Sequence, residues 1–253
     1  MLVAERYEKI VQVVNERGSI RVSELSELCQ VTEETIRRDL DRLEQDGRLR
    51  RSHGGAVSIK ENQTSEIPFL ERETMFSEEK KRIAREAIQL IQPHDRIILD
   101  ASTTAWYMAS LLPDIPLTVL TNSIKVAMEL AGKEKVKVIS TGGQLAKRSL
   151  SYVGPLAERS LDHYHVDKLF LSCKGVHATR GISESDELQA GVKQKMIELA
   201  DQVILIADAS KIGVRAFTQV GVLTDVDVLI TDDRVTDDLR EQIEEIGISV
   251  KIV

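Results

Sequence analysis

Cysteine is scarce: the 253 residues include two, Cys29 and Cys173, far apart and each in an apolar context. That excludes a disulfide framework and fits reduced core thiols in a cytoplasmic protein. Long apolar runs are also missing. No stretch approaches the ~20 residues of a membrane span, and no apolar run follows a basic flank near Met1, so neither a membrane partner nor a secretory leader is expected. Excess positive charge is absent too. The formal net charge of -7 excludes a generally basic coat and confines any nucleic-acid contact to a local patch. There is no internal repeat, no low-complexity tract, and no spacing that asks for a metal or cofactor.

What is present suffices for real cores, with 42% apolar residues. Charge is unevenly placed. Residues 1–60 hold 11 Lys/Arg and 11 Asp/Glu, the remainder 23 and 30. Within 47–60 lie Arg48, Arg50, Arg51 and Lys60 without an acid, locally +4.

The first 58 residues read as three helices and a wing, a winged helix-turn-helix. Tyr7, Ile10, Val11 and Val14 share one face of a helix over 3–15, which Gly18 ends. Val22, Leu25 and Leu28 form the apolar face of a second helix, with Ser23 as its expected N-cap. Thr32 caps a third, in which Ile36, Leu40 and Leu43 fall at i, i+4 and i+7. Arg37, Arg38 and Arg42 lie outside that stripe, and Thr35 opens the same helix. A short helix with arginines on its outer face suits a DNA major groove. The bland alternative is a solvated face paired within the helix to Glu34 and Asp41. Gly47 stops this helix, and 48–58 reads as two strands turning at Gly54-Gly55. Arg50, Arg51 and His53 on that wing favour phosphate-backbone or minor-groove contact.

Residues 59–76 are polar and aperiodic, interrupted by Pro68, and read as a linker to a second domain over 77–253. Ser77 opens a helix with Ile83, Ala87 and Ile91 on its apolar face. Beyond Pro93 short apolar strands (96–100, 117–121, 136–140, 167–172, 203–207, 226–231 and 248–253) alternate with helices (102–111, 123–131, 155–161, 187–200 and 236–245). Strands apolar at nearly every position indicate an open, mostly parallel α/β sheet covered on both faces. Its ligands are expected beyond the carboxyl ends of the strands.

Several polar turns fall at those ends. Asp100-Ala101-Ser102-Thr103-Thr104 joins the first strand to a helix, where hydroxyls, backbone N–H groups and the helix dipole favour an anion such as phosphate. Ser102 as a plain cap is the alternative. Thr121, Asn122 and Ser123 follow the second strand, Gly142 and Gly143 the third. They read as a pocket rim or as ordinary turns. Lys174 follows another strand, and Glu184 lies in the acidic loop beyond it, placed to accept sugar hydroxyls or to sit in solvent. Lys211, after Asp208, can neutralise a phosphate.

The run Thr35-Ile36-Arg37-Arg38-Asp39-Leu40, with Leu43, Gly47 and Arg51-Ser52-His53-Gly54-Gly55-Ala56, resembles the N-terminal signature of the DeoR family of bacterial sugar-operon regulators. The turns at 100–104, 121–123, 141–143, 153–155, 174–175 and 208–211 sit where that family places comparable motifs. The resemblance therefore spans essentially the whole chain. It implies a sensor domain related in fold to ribose-5-phosphate isomerase, and a repressor of a carbohydrate catabolic operon. Such a repressor binds an inverted-repeat DNA operator as a homodimer or homotetramer and is released by a phosphorylated sugar effector. One departure is Ser102, where the family commonly has glycine. The serine adds either an O–H for the effector or a helix cap.

A second function class is a sugar-phosphate isomerase or deaminase with an appended DNA-binding head. Asp100, Glu184 and Lys174 would be its acid–base candidates, yet nothing in their spacing requires that role. Turnover of pentose or hexose phosphates separates the two.

Overall fold

The computed structural model describes residues 3–17, 19–52, 54–57 and 66–253. Gly18, His53 and the segment 58–65, which holds the end of the expected wing and part of the expected linker, lie outside the described residues. The chain forms two compact units, Met1–Ser65 and Glu66–Val253.

In the first unit, helices Val3–Arg17 (α1), Val22–Cys29 (α2) and Glu33–Gln45 (α3) enclose a core of Ile10, Val14, Leu25, Ile36, Leu40 and Leu43. Thr32 caps α3 as expected, its hydroxyl accepting from the Thr35 N–H at 3.3 Å. Ser23 does not cap α2. The N-cap is Arg21, and the Val22 N–H donates to the Gly54 carbonyl at 2.9 Å. A backbone acceptor from the wing turn thus replaces a capping side chain.

The wing strands Arg50–Ser52 (β2) and Gly55–Val57 (β3) are joined by a strand not anticipated from the sequence, Ser19–Arg21 (β1). β3 pairs antiparallel with both neighbours. Only glycine fits at position 55, because a Cβ there would lie 2.1 Å from the Ile20 carbonyl oxygen.

The second unit is built on seven strands: Arg96–Leu99 (β4), Leu117–Thr121 (β5), Val136–Ser140 (β6), Val166–Leu171 (β9), Ala200–Ile206 (β12), Val228–Thr231 (β14) and Ser249–Ile252 (β15). All pair in parallel, in the order β15-β14-β12-β9-β4-β5-β6. Successive side chains along a strand point to opposite faces, and each face is buried. Ile97, Leu99, Val119, Phe170, Ile204 and Ile206 pack with helices Ser77–Ile88 (α5), Thr103–Leu111 (α6) and Ile124–Leu130 (α7). Ile98, Leu120, Leu169, Leu171, Val203 and Leu205 pack with Pro155–Leu161 (α8), Glu187–Glu198 (α9) and Asp237–Glu244 (α10). Burial on both faces explains why these strands read as continuous apolar runs.

From β4 the chain winds outward through β5 and β6, then resumes at β9 on the other side of β4. The strand order therefore reverses between β4 and β9. The carboxyl ends of that pair frame the crevice where such sheets bind ligands.

Two insertions are not legible in the sequence. One is the hairpin Gln144–Ala146 (β7) with Ser151–Val153 (β8). The other is an antiparallel sheet of Gly175–His177 (β10), Gly181–Glu184 (β11) and Thr218–Gly221 (β13). Without an apolar run or a Gly-Gly turn to mark them, strands of three or four residues carry too little alternation to be seen.

The expected linker over 59–76 is corrected from Glu66 onward. Phe69–Arg72 (α4) is helical, and Phe69 is wholly buried. Its ring meets Trp106 edge-on at 6.2 Å, and its N–H donates to the Arg148 carbonyl at 2.6 Å. Tyr107 donates its O–H to the Glu73 carbonyl at 2.8 Å. One aromatic anchor fixes the segment, and a single-turn helix has no periodicity to reveal it.

Candidate nucleic-acid interface and effector site

On α3 the apolar stripe faces inward and the arginines outward. The Arg38 side chain is 78% exposed, with Glu34 3.5 Å away. Arg37 donates to Glu33 at 2.7 Å, and Arg42 lies 3.6 Å from Asp46. Arg51 pairs with Asp41, and its backbone N–H donates to Glu44 at 2.7 Å. Ser23 and Thr32 are exposed, whereas Thr35, Arg50 and Arg51 are half-buried. Exposed pairs of this kind contribute about 0–1 kcal/mol, so nucleic-acid phosphate can replace them. Glu34 does pair with the arginines, but without withdrawing Arg38 from solvent.

One residue that fixes this helix lies outside the sequence-based candidates. Asp39 is buried and forms a bidentate ion pair with Arg6 of α1, at 2.6 and 3.0 Å. The sequence does carry a signal. Arg6 sits at i−4 from Ile10 on the buried face of α1, and Asp39 interrupts the stripe of Ile36, Leu40 and Leu43.

At the β4/β9 switch point the Asp100 carboxylate is fully buried and engaged by protein. It accepts from the Ser102 N–H at 3.1 Å and the Ser172 N–H at 2.9 Å, and Lys193 Nζ lies 3.1 Å away. Lys193 also donates to Glu184 at 2.6 Å and to the Ser172 carbonyl at 2.6 Å. Burial opposes its charge, but Glu184 and Asp100 outweigh burial and raise the ammonium pKa above its ordinary value. Lys211 donates to the Ser172 hydroxyl at 2.7 Å. The thiol of the neighbouring Cys173 is pushed up to about 12 by burial.

The structure thus joins Asp100, Glu184 and Lys211 through Ser172 and Lys193, neither of which is a sequence-based candidate. It leaves the other candidates in local roles. Ser102 is the cap of α6, accepting from the Ala105 N–H at 3.0 Å. Thr103 and Thr104 are buried in the first turn, and the Thr104 hydroxyl has no hydrogen-bond partner. Thr121 accepts from the Ser123 N–H, Ser123 caps α7, and Asn122 donates to the Tyr152 carbonyl. Gly142 and Gly143 have φ of 62° and 118°, and a Cβ on Gly143 would lie 3.0 Å from that of Ala157. These turns share the carboxyl edge of the sheet as expected, and several of their polar groups satisfy the local backbone. Lys174 donates its N–H to the Ser183 carbonyl at 3.0 Å and is half-buried.

Among the described residues of the second unit, two buried cations also fall outside the sequence-based candidates. Lys80 on α5 is 4% exposed and donates to the Arg72 carbonyl at 2.6 Å; Lys193 on α9 is the other. Each lies on the buried face of its helix, Lys80 at i−3 from Ile83 and Lys193 at i−3 from Met196. A lysine inside a buried stripe is the available signal. Among the described residues no helix is long and apolar enough to cross a membrane.

Comparison with known proteins agrees with both halves. The family description "DeoR-like helix-turn-helix domain" matches residues 6–62, and "DeoR C terminal sensor domain" matches residues 75–233. The chain is 62% identical over 232 residues to an uncharacterized HTH-type transcriptional regulator, YulB, of Bacillus subtilis, covering 92% of this chain and 90% of that one. It is 38% identical over 240 residues to an L-fucose operon activator of Haemophilus influenzae, with 95% and 96% covered. It is 34% identical over 252 residues to a putative aga operon transcriptional repressor of Escherichia coli O157:H7, with 99% and 94% covered. With an arginine-faced third helix beside a wing, a parallel-sheet sensor, and relatives matched along nearly their whole length, this chain belongs to the DeoR family of DNA-binding transcriptional regulators.

Proposed function

We propose that this regulator represses a carbohydrate catabolic operon and is released from its operator when a phosphorylated sugar binds at the β4/β9 switch point. Arg38 and its neighbours read base edges, while Arg50, Arg51 and the wing hold phosphates. A homodimer or homotetramer presents two such heads to an inverted repeat. The effector favours the subunit arrangement that no longer spans both half-sites, which requires unequal affinity for the two states.

The observation that carries this reading is the set of buried or half-buried lysines, Lys211, Lys193 and Lys80, around a sheet edge that also holds the N-terminus of α6. Cations beside a helix N-terminus match a phosphorylated ligand. Asp100 acts there as a positioning group, since Ser102, Ser172 and Lys193 engage both its oxygens. The aga relative supports repression, although the fucose relative is named an activator. Where the operator lies relative to the promoter decides the sign.

The test is DNA binding by the purified full chain to the region upstream of its neighbouring genes, titrated with phosphosugars and their unphosphorylated parents. Release by one phosphosugar, with no response to the parent sugar, is expected, together with raised transcription when the gene is deleted. Equal release by the parent sugar, or none by any phosphosugar, overturns the reading.

A further inference from the structure

The side of α3 opposite the buried stripe is not simply basic. At about 100° per residue, Glu34 stands about 160° and Arg38 about 200° round the helix from Ile36. Both therefore point outward, one turn apart. Their side chains are 63% and 78% exposed, and Arg38 Nε lies 3.5 Å from Glu34 Oε1. Arg37 lies 3.8 Å from Glu34 as well. Glu33 shares the first turn with Glu34, but it stands only about 60° from Ile36 and accepts from Arg37 at 2.7 Å.

The helix dipole accounts for an acid in the first turn, and Glu33 supplies one. It does not account for an acid on the outward face, where DNA phosphates repel it. An ionised carboxylate only accepts hydrogen bonds. In the major groove guanine N7 and O6 and thymine O4 are acceptors too, and the adenine amino group lies between two acceptors. The cytosine amino group is the donor left to it. A G·C edge presents two acceptors beside that donor. Arg38 and Glu34 present the complement, donors beside an acceptor, already adjacent. The first residues of a recognition helix are those that reach base edges. We propose that Glu34 is a specificity-determining residue, accepting from the cytosine amino group next to the guanine that Arg38 engages. This role rests on the reading above, in which α3 enters the major groove.

Glu34 then weakens binding to every sequence that lacks this pair, and widens the gap between operator and other DNA. The exposed charge of α3 points the same way. Glu33, Glu34, Asp41 and Glu44 stand against Arg37, Arg38 and Arg42. A helix with more exposed acid than base gains little from phosphates and depends on bases for its affinity.

The experiment selects duplexes from a random-sequence DNA pool with the full-length chain, as wild type and as Glu34→Ala, Glu34→Gln, Glu33→Ala and Arg38→Ala. Bound duplexes are sequenced, and anisotropy on selected and scrambled duplexes measures affinity. Wild-type protein is expected to enrich a G·C pair at one position of each half-site. In Glu34→Ala the cytosine preference there vanishes, scrambled DNA binds more tightly, and the ratio of selected to scrambled affinity falls about tenfold. Glu34→Gln shifts the preference toward adenine, which an amide engages through N6 and N7. A merely structural role produces no such shift. Glu33→Ala keeps the wild-type pattern. A wild-type pattern in Glu34→Ala, or parallel changes on selected and scrambled duplexes, overturns the proposal. So does loss of the same preference in Glu33→Ala, since any first-turn carboxylate would then suffice. If Arg38→Ala alone relaxes the pattern, the groove reading stands and the role of Glu34 falls. If no variant of α3 alters any base preference, the groove reading falls and takes this role with it.

Discussion

Arg6 grips Asp39 through two hydrogen bonds, Nε to Oδ2 at 2.6 Å and Nη2 to Oδ1 at 3.0 Å, with both side chains at most 10% exposed. The pair ties α1 to α3 at the residue next to Arg38. Removing one partner leaves the other charged and buried, a change that costs about 3–5 kcal/mol. Asp39→Ala is therefore expected to loosen the first unit and weaken DNA binding, although Asp39 is not on the exposed face of α3. Amide exchange over 22–49 should speed up while that over 96–99 stays as it was. Wild-type exchange in both segments would show the pair to be dispensable.

Arg38 and Arg51 are expected to fail differently. Arg38 is exposed on the outer face of α3; if it reads sequence as proposed, Arg38→Ala should weaken operator binding by about 1–3 kcal/mol and spare random DNA. Arg51, tied to Asp41, is the proposed phosphate contact. Arg51→Ala should weaken binding to all sequences and lower the salt slope by about 1. Fluorescence anisotropy on operator and scrambled duplexes at several salt concentrations separates the two. Equal losses on both duplexes for Arg38→Ala would remove its base-reading role.

Lys211→Ala and Thr103→Val are expected to raise the effector concentration needed for release while leaving DNA affinity without effector nearly unchanged. Lys211 holds the Ser172 hydroxyl at 2.7 Å, beside Asp100 and Lys193, which also engage Ser172. Thr103 lies in the first turn of α6, at the positive end of the helix dipole. Induction curves measured on folded variants are the check, and wild-type curves for both would misplace the pocket.

Lys80 gives stability a pH dependence of predictable sign. Burial, and then repulsion from Lys211, lower its pKa from 10.5 to about 7 in the folded chain, against the smaller opposing pull of Asp208. Between those values the unfolded chain binds more protons, so stability rises as pH increases above about 7, and the penalty is fully present below it. Cys173 acts oppositely, but only where an unfolded thiol ionises, near 9.0. From about pH 7 to 8.5, the wild-type melting temperature should therefore climb relative to Lys80→Met, which has no such proton to lose. Parallel profiles would mean Lys80 keeps its charge throughout.

The first unit is largely legible because its information is local. Ile36, Leu40 and Leu43 define one side of α3 by spacing alone, which puts Arg38 on the other. Thr32 caps α3 because its acceptor is three residues from its donor. Ser23 does not cap α2, because the Gly54 carbonyl, distant in sequence, reaches the Val22 N–H. Asp39 and Arg6 each break an apolar stripe, but neither stripe shows that the two charges meet.

The parallel sheet, its apolar strands and the polar turns at their carboxyl ends follow from the order of amino acids alone, since strand burial and turn chemistry are written in consecutive residues. Which of those polar groups are engaged depends on packing in three dimensions. The placement of β9 beside β4 brings Ser172 to Asp100, and packing of α9 and α5 brings Lys193 and Lys80 inward. Charges far apart along the chain have no shared period, so the network of Asp100, Glu184, Lys193 and Lys211 exists only once the strands have taken their order.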